Sequence, residues 1–328
     1  MAEGAPPLRD DRRRLVAMAA AVLGAPWPHG VRAEPAAAPL RLVVAYPPGG
    51  ISDQVARALA PPLARRLGVT VQVANQAGAG GAIALRALAR SPPDGRTLVF
   101  AAITPLAFDA SLRAPLPGAP APVVPVASVM LTPSLLVGTP AFGGRRFEEL
   151  LAQARARPGA LRWATSGVAT TGHLVLEQVC RAFRVSVTHV PYKGGGQQLS
   201  DALGGQFELL ATNVGPAQLD HVRAGRFTPL AVGAPARLSV LPAVPTFAEL
   251  GCPRANLASL FGLFAPGATP MARVEALNAA LDQALREPTL RATLIGSGNV
   301  PTGGSAGDFG REIALAAEGM AGLLGPAR

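Results

Sequence analysis

Two stretches of this chain carry hydrogen-bonding chemistry at a fixed spacing. One is Tyr46-Pro47-Pro48-Gly49-Gly50-Ile51-Ser52-Asp53, and the other is Thr165-Ser166-Gly167-Val168-Ala169-Thr170-Thr171-Gly172-His173. Each follows a short apolar run that reads as a strand, and each opens into a helical pattern. Such a junction leaves backbone N–H groups pointing out of the positive end of a helix, where they can hold an anion. Pro47 and Pro48 have no N–H to give, so they shape a wall while Gly49, Gly50 and Ile51 donate. Ser52 can cap the helix, and Asp53 in its first turn favours the dipole. Ser166, Gly167, Thr170 and Thr171 offer amides and hydroxyls in the second stretch. The two stretches lie roughly 115 residues apart. That spacing points to two lobes turned toward one small ligand, the layout of a binding protein more than of a catalyst.

Four other side chains compete for a place in such a site, each with a plainer alternative. Thr104 follows a predicted strand and either faces the ligand or is an ordinary strand-end hydroxyl. Tyr192 and Lys193 either reach an anion or sit in a turn on the rim. His173 either donates to a carboxylate or is a helix-start residue with a satisfied ring. Asp53 itself reads more readily as a residue that orders the loop than as a ligand to a cation. The two cysteines (Cys180, Cys252) and four scattered histidines have no metal-ligand spacing, so no metal and no cofactor is expected. Whether Cys180 and Cys252 pair is left open by the sequence. An exported α/β hydrolase would need a nucleophilic serine in a tight elbow between a strand and a helix; the Gly-x-Ser-x-Gly at Gly303–Gly307 has no predicted strand before it, and Ser166 is followed by a single glycine.

The elements that position these groups alternate between strand and helix. Leu40–Ala45, Val69–Val73, Thr97–Ala102, Leu161–Ala164, Val185–Val190, Phe207–Ala211, Pro229–Val232 and Phe261–Ala265 read as strands. Val126–Val137 reads as extended and broken at Pro133. Val55, Leu59, Leu63 and Leu67 recur at helical spacing, and Pro61-Pro62 predicts a kink or break there, at about 3 kcal/mol for an interior proline. Gly78-Ala-Gly-Gly81 opens a further helix but matches neither the Rossmann spacing nor a P-loop, so helix-start packing is the preferred reading. The class is α/β with mostly parallel sheets flanked by helices, and ligands in such sheets bind beyond the carboxyl ends of the strands.

The N-terminus has the order of a secretory signal peptide: Arg12, Arg13 and Arg14, an eleven-residue apolar run over 15–25, then small residues at Val31 and Ala33. The run is too short to span a bilayer of about 30 Å. Cleavage near Ala33 is expected, by Sec or twin-arginine export, which places the mature protein in the periplasm. Residues 1–33 hold five arginines and three acids, so the formal charge falls from +10 to +8 on their removal. Lys193 is the one lysine among 30 basic residues. The arginines are scattered without interleaved aromatics, which argues against nucleic acid.

The second half adds a resemblance. His189-Val-Pro-Tyr-Lys-Gly194, Leu203-Gly-Gly-Gln206, His221-Val-Arg-Ala-Gly225, Leu241-Pro-Ala-Val-Pro-Thr246 and Phe261-Gly-Leu-Phe-Ala-Pro266 occur in the order seen in Bug-type receptors. The first half adds Arg41–Gly50 and Ser91–Leu98. The chain thus resembles, from about residue 40 to its end, the extracytoplasmic solute-binding proteins of tripartite tricarboxylate transporters. The resemblance implies a two-lobe periplasmic-binding (Venus-flytrap) fold, with 40–135 plus 258–328 as one lobe and 136–257 as the other. It implies hinge crossings near Val129–Val137 and Leu260–Ala265. It further implies a monomer that binds a small carboxylate and delivers it to membrane subunits, or in a variant presents it to a sensor kinase. The implied ligand residues are Tyr46, Pro48, Gly49, Gly50, Ser52, Asp53, Thr104, Ser166, Gly167, Thr170, Thr171, His173, Tyr192, Lys193, Thr212 and Asn213. Two departures bear on the ligand. Thr212 stands where many such receptors carry an acid before the asparagine, which favours plain carboxylates over amino acids. Val168-Ala169 stands where glycine and threonine are usual and narrows or dries the pocket.

Overall fold

The computed structural model describes residue 1, residues 38–109, 112, 121–321 and 323. The segment read as a signal peptide lies outside the described residues.

Two sheets share one long strand. In the first, β1 (Leu40–Val44) pairs in parallel with β2 (Val71–Asn75) and β3 (Thr97–Ala102). Strand β9 (Ala258–Pro266) then runs antiparallel between β3 and the first part of β4 (Val123–Gly138). In the second sheet, β5 (Arg162–Thr165) pairs in parallel with β6 (Thr188–Pro191) and β7 (Leu209–Asn213). The last part of β4 pairs antiparallel with β7 and with β8 (Thr228–Gly233). A short β10 (Val300–Pro301) lies on β4. The outer strands are therefore parallel as expected, while the middle of the molecule is antiparallel. A strand that passes through both sheets and a second strand that re-enters the first must run against their neighbours.

Apolar runs arise because most strands are covered on both faces. In β1, Leu42 and Val44 join one buried cluster while Val43, with Ala45 just beyond the strand, joins another. In the second sheet, Leu136 and Trp163 face one cluster while Leu135, Val137 and Ala164 face the other. The covering helices of the first sheet are α1 (Ile51–Leu67), α2 (Ala82–Leu88), α3 (Thr104–Phe108), α8 (Met271–Leu285), α9 (Pro288–Gly296) and α10 (Ala306–Ala321). Those of the second are α4 (Phe147–Ala156), α5 (Thr171–Phe183), α6 (Gly195–Leu203) and α7 (Pro216–Arg223).

Two expectations about proline are corrected. Helix α1 runs unbroken through Pro61 and Pro62. Val55, Leu59 and Leu63 are buried on the core side, and Arg65 and Arg66 tie the helix end to Glu287 and Gln283, so packing holds it across the missing bonds. Strand β4 likewise passes through Pro133 without a break. Pro133 is the last β4 residue paired with β9, and Ser134 the first paired with β7 and β8, so the proline sits where the ladder changes partners. The second passage between sheets lies at Asn256–Ala258, ahead of the Leu260–Ala265 stretch. Leu257 O accepts from Ser134 N and, at 2.7 Å, from Ser134 Oγ.

No disulfide joins Cys180 and Cys252, and Cys252 is buried. Among the described residues no helix is long and apolar enough to cross a membrane.

Candidate functional site

The first loop is ordered from beneath by Asp53. Its carboxylate accepts Gly49 N at 3.0 Å, Arg57 Nε at 3.0 Å and Asn75 Nδ2 at 2.9 Å. Asn75 Nδ2 also reaches Tyr46 O at 3.1 Å. Burial alone would raise the Asp53 carboxyl, but the Arg57 guanidinium, the Gly49 amide and the Asn75 carboxamide together hold it below the usual range. Gly49 adopts a φ of 83°, a left-handed turn that favours glycine. Its amide is engaged by Asp53, so Gly49 does not donate to a ligand as expected. The orphan amides of Ile51 and Ser52 at the start of α1 remain. Tyr46 projects from the same loop. Its hydroxyl accepts Ala102 N at 3.0 Å and donates to Gly80 O at 3.3 Å. Burial pushes its phenol up to about 12, so it stays a neutral donor.

The second loop is braced by histidines. Thr170 Oγ1 donates to Gly167 O at 2.7 Å, and Gly167 N donates to Thr165 Oγ1 at 3.3 Å. Thr165 Oγ1 lies 2.7 Å from His189 Nε2. Ala169 N donates to His173 Nδ1 at 3.0 Å, which leaves the His173 proton on Nε2, 3.8 Å from Glu177. The two imidazoles stack, with centroids 4.3 Å apart and planes 6° from parallel. Burial lowers both rings; His189, with His173 beside it, falls to about 4. Both are therefore neutral supports under the loop.

The two loops meet at one cleft with two connected parts. A small inner chamber of about 40 Å³ is lined by Tyr46, Gly80, Thr104, Ser166, Thr170, Thr171, Thr212, Asn213, Ser259 and Phe261, among others. A wider outer cavity of about 310 Å³ shares Tyr46, Ser166, Thr212, Asn213 and Phe261 with it, and adds Pro47, Pro48, Gly49, Gly50, Ile51, Ser52, Gln54, Gly195, Gly196, Leu199, Pro216, Ala217 and Gln218. Among the described residues, no Asp, Glu, Lys, Arg or His side chain lines either part. Strand β9 closes the inner chamber: Ser259 Oγ lies 2.8 Å from Thr171 Oγ1 and 2.9 Å from Asn213 Oδ1. With its Oδ1 so engaged, Asn213 can donate through Nδ2.

The sides of the cleft touch directly. A β-carbon on Gly194 would come within 2.6 Å of the Pro47 ring, and one on Gly80 within 3.2 Å of Thr170. The structure is thus of a closed cleft.

Of the residues expected in the site, Tyr46, Pro48, Gly49, Gly50, Ser52, Thr104, Ser166, Thr170, Thr171, Thr212 and Asn213 line it. Five lie outside the lining. Asp53, Gly167 and His173 order the loops from behind. Tyr192 turns away to donate to Asp201 Oδ2 at 2.8 Å. Lys193 is exposed beyond the rim. Gly80, Ser259, Phe261, Leu199 and Gln218 were not anticipated. Gly80 lies in the Gly78–Gly81 loop that read as helix packing, and Phe261 lies in the stretch expected as a strand and hinge crossing.

Comparison with known proteins agrees with this geometry. Residues 55–319 match the family model for the tripartite tricarboxylate transporter family receptor, TctC. Protein BugT of Bordetella pertussis is 36% identical over 270 residues, covering 81% of this chain and 82% of BugT. The chain belongs to the TctC family. Its members are solute-binding receptors rather than enzymes. Among solved structures, that of R. palustris Rpa4515 with adipate is 31% identical, with a TM-score of 0.79 and coverage of 87% of this chain and 95% of that one. MatC from Rhodopseudomonas palustris with bound malate is 26% identical, with a TM-score of 0.77 and coverage of 85% and 96%. The fold of this TctC protein is accordingly the two-lobe periplasmic-binding fold.

Proposed function

We propose that this protein is a periplasmic receptor that closes its two lobes on a small carboxylate and delivers it to the membrane subunits of a tripartite transporter. The observation that carries this reading is the convergence of two strand–loop–helix junctions, one from each sheet, on a single cleft. The donors there are amides of Ile51 and Ser52, amides at the start of α5, the hydroxyls of Thr104 and Ser166, and Asn213 Nδ2. Each bond to a charged group contributes about 1.5–3 kcal/mol net, so a few of them hold a carboxylate without a buried arginine and let it go again. The lobes are those the resemblance implies, 40–135 with 258–328 and 136–257, with the first boundary moved to Pro133–Ser134, where β4 changes partners. Because donors come from both lobes, ligand binding favours the closed form. The relatives solved with adipate and malate support the ligand class.

A thermal-shift screen over mono-, di- and tricarboxylates tests this. A true ligand raises the melting temperature by mass action. Ser166→Phe, which fills the junction of the two chambers, is expected to abolish that rise while leaving the ligand-free melting temperature close to wild type. A panel in which no carboxylate shifts the wild-type protein would refute the reading.

A further inference from the structure

The inner chamber has a thin back wall. Thr104 and Thr170 line the chamber, while Pro105 and Ala169, each next in the chain to one of them, line a second cavity of about 330 Å³ on the far side. Gly80 lines both. The second cavity also holds Val168, 62% exposed, and the Arg86–Asp109 ion pair, so that side of the wall is wet.

At this wall Gly80 meets the second loop. A β-carbon on Gly80 would lie 3.2 Å from Thr170 Cγ2 and 3.9 Å from Val168 O, and one on Gly167 would lie 3.7 Å from Gly80 N. The loop that carries Gly80 has an uncommon shape. Ala79 and Gly80 take φ values of 47° and 62° in succession, and such a φ is rare for a residue other than glycine. It persists only where the surroundings hold it. Tyr46 does so here: its hydroxyl donates to Gly80 O at 3.3 Å and accepts Ala102 N at 3.0 Å. The loop is thus pinned to the first sheet and presents bare backbone to the second.

The donors around the chamber, Thr104, Ser166 and Asn213, are neutral. Water entering from behind would compete for the same hydrogen bonds, and exclusion of water strengthens each bond to a charge. We propose that the Gly78–Gly81 loop is the rear seal of the site: Gly80 seats on Thr170 when the lobes close, and tight binding requires that seat to carry no side chain. The proposal rests on the carboxylate reading above and adds a closure element to it.

A double-mutant cycle tests the seat. Calorimetric titration with malate, adipate and citrate reads affinity, and melting of the ligand-free protein reads stability. Gly80→Ala sets a methyl group at the seam. Its backbone strain is present with the lobes open or closed, so strain alone lowers the melting temperature and leaves affinity unchanged. The collision with Thr170 arises only on closure. For the anion that wild type binds best, Gly80→Ala is expected to weaken binding at least roughly tenfold. Thr170→Ser deletes the methyl group that the new β-carbon meets and keeps the hydroxyl that bonds Gly167 O. In that background Gly80→Ala is expected to cost less than about threefold. An equal loss in both backgrounds would overturn the seal, as would a Gly80→Ala protein that binds as tightly as wild type. Either result leaves the carboxylate reading standing. A wild type that binds none of these anions, nor any other carboxylate of the thermal-shift screen, would overturn both.

Discussion

Asp53 shows how a residue outside a site can decide whether the site exists. It lines neither part of the cleft, yet three donors converge on it, and one of them is the amide of Gly49 in the ligand loop. Asp53→Ala releases that amide, Asn75 and the first turn of α1 together. The expected cost is about 1.5–3 kcal/mol for the charged hydrogen bonds lost, read as a fall in the denaturation midpoint, with weaker ligand binding besides. His189 acts the same way beneath the second loop. Its folded pKa of about 4 lies below the ordinary value of about 6.5, so the unfolded chain takes up a proton that the native ring refuses. Stability therefore falls as pH drops from about 6.5 toward 4, and is fully present above that window. Denaturation curves at a series of pH values check the sign, and His189→Gln is expected to flatten the slope. A wild-type curve that is level across the window would contradict this role.

The strand–loop–helix junctions were legible because their signals are local: an apolar run, a glycine turn and a helical period; the cap expected of Ser52 is not formed, since Gly50 takes the cap position and Ser52 lies inside α1. What lay outside local reach was the third wall. Ser259 and Phe261 enter the site from β9, far along the chain from both loops, because β9 inserts between β3 and β4. No period or spacing announces such an insertion. Tyr192 and Lys193 misled for the converse reason: they are near the second loop's strands, but Asp201 on α6 draws the Tyr192 hydroxyl away. Both proline expectations failed because local propensity was outweighed by packing, in α1 by a buried face and in β4 by a change of ladder at Pro133. One element-level contact is sharp enough to test. Gly172 brings α5 so near β7 that a β-carbon there would lie 3.1 Å from Ala211 O. Gly172→Val is expected to displace the start of α5, lower the melting temperature and weaken carboxylate binding, whereas a valine with wild-type stability and affinity would show that this approach is not needed.

Taken as one body, the molecule is two sheets that share β4 and exchange chain at Pro133–Ser134 and at Asn256–Ala258. On the two-lobe reading, opening bends those two passages and also parts hydrogen bonds between the sides, such as Gln178 Nε2 to Leu323 O and Ser259 Oγ to Thr171 and Asn213. Gly194→Trp is expected to prop the lobes apart, raising the radius of gyration in solution scattering and removing the compaction that ligand produces in the wild type. The central claim is that an anion is gripped between the lobes by neutral donors alone. The most direct measurement is a crystal structure of the protein grown with the most stabilising carboxylate of the thermal-shift screen. The account predicts its carboxylate within hydrogen-bonding distance of Ser166, Thr104 and the Ile51–Ser52 amides, with no arginine, lysine or histidine in contact. A carboxylate bound elsewhere, or paired with a cationic side chain, would contradict it.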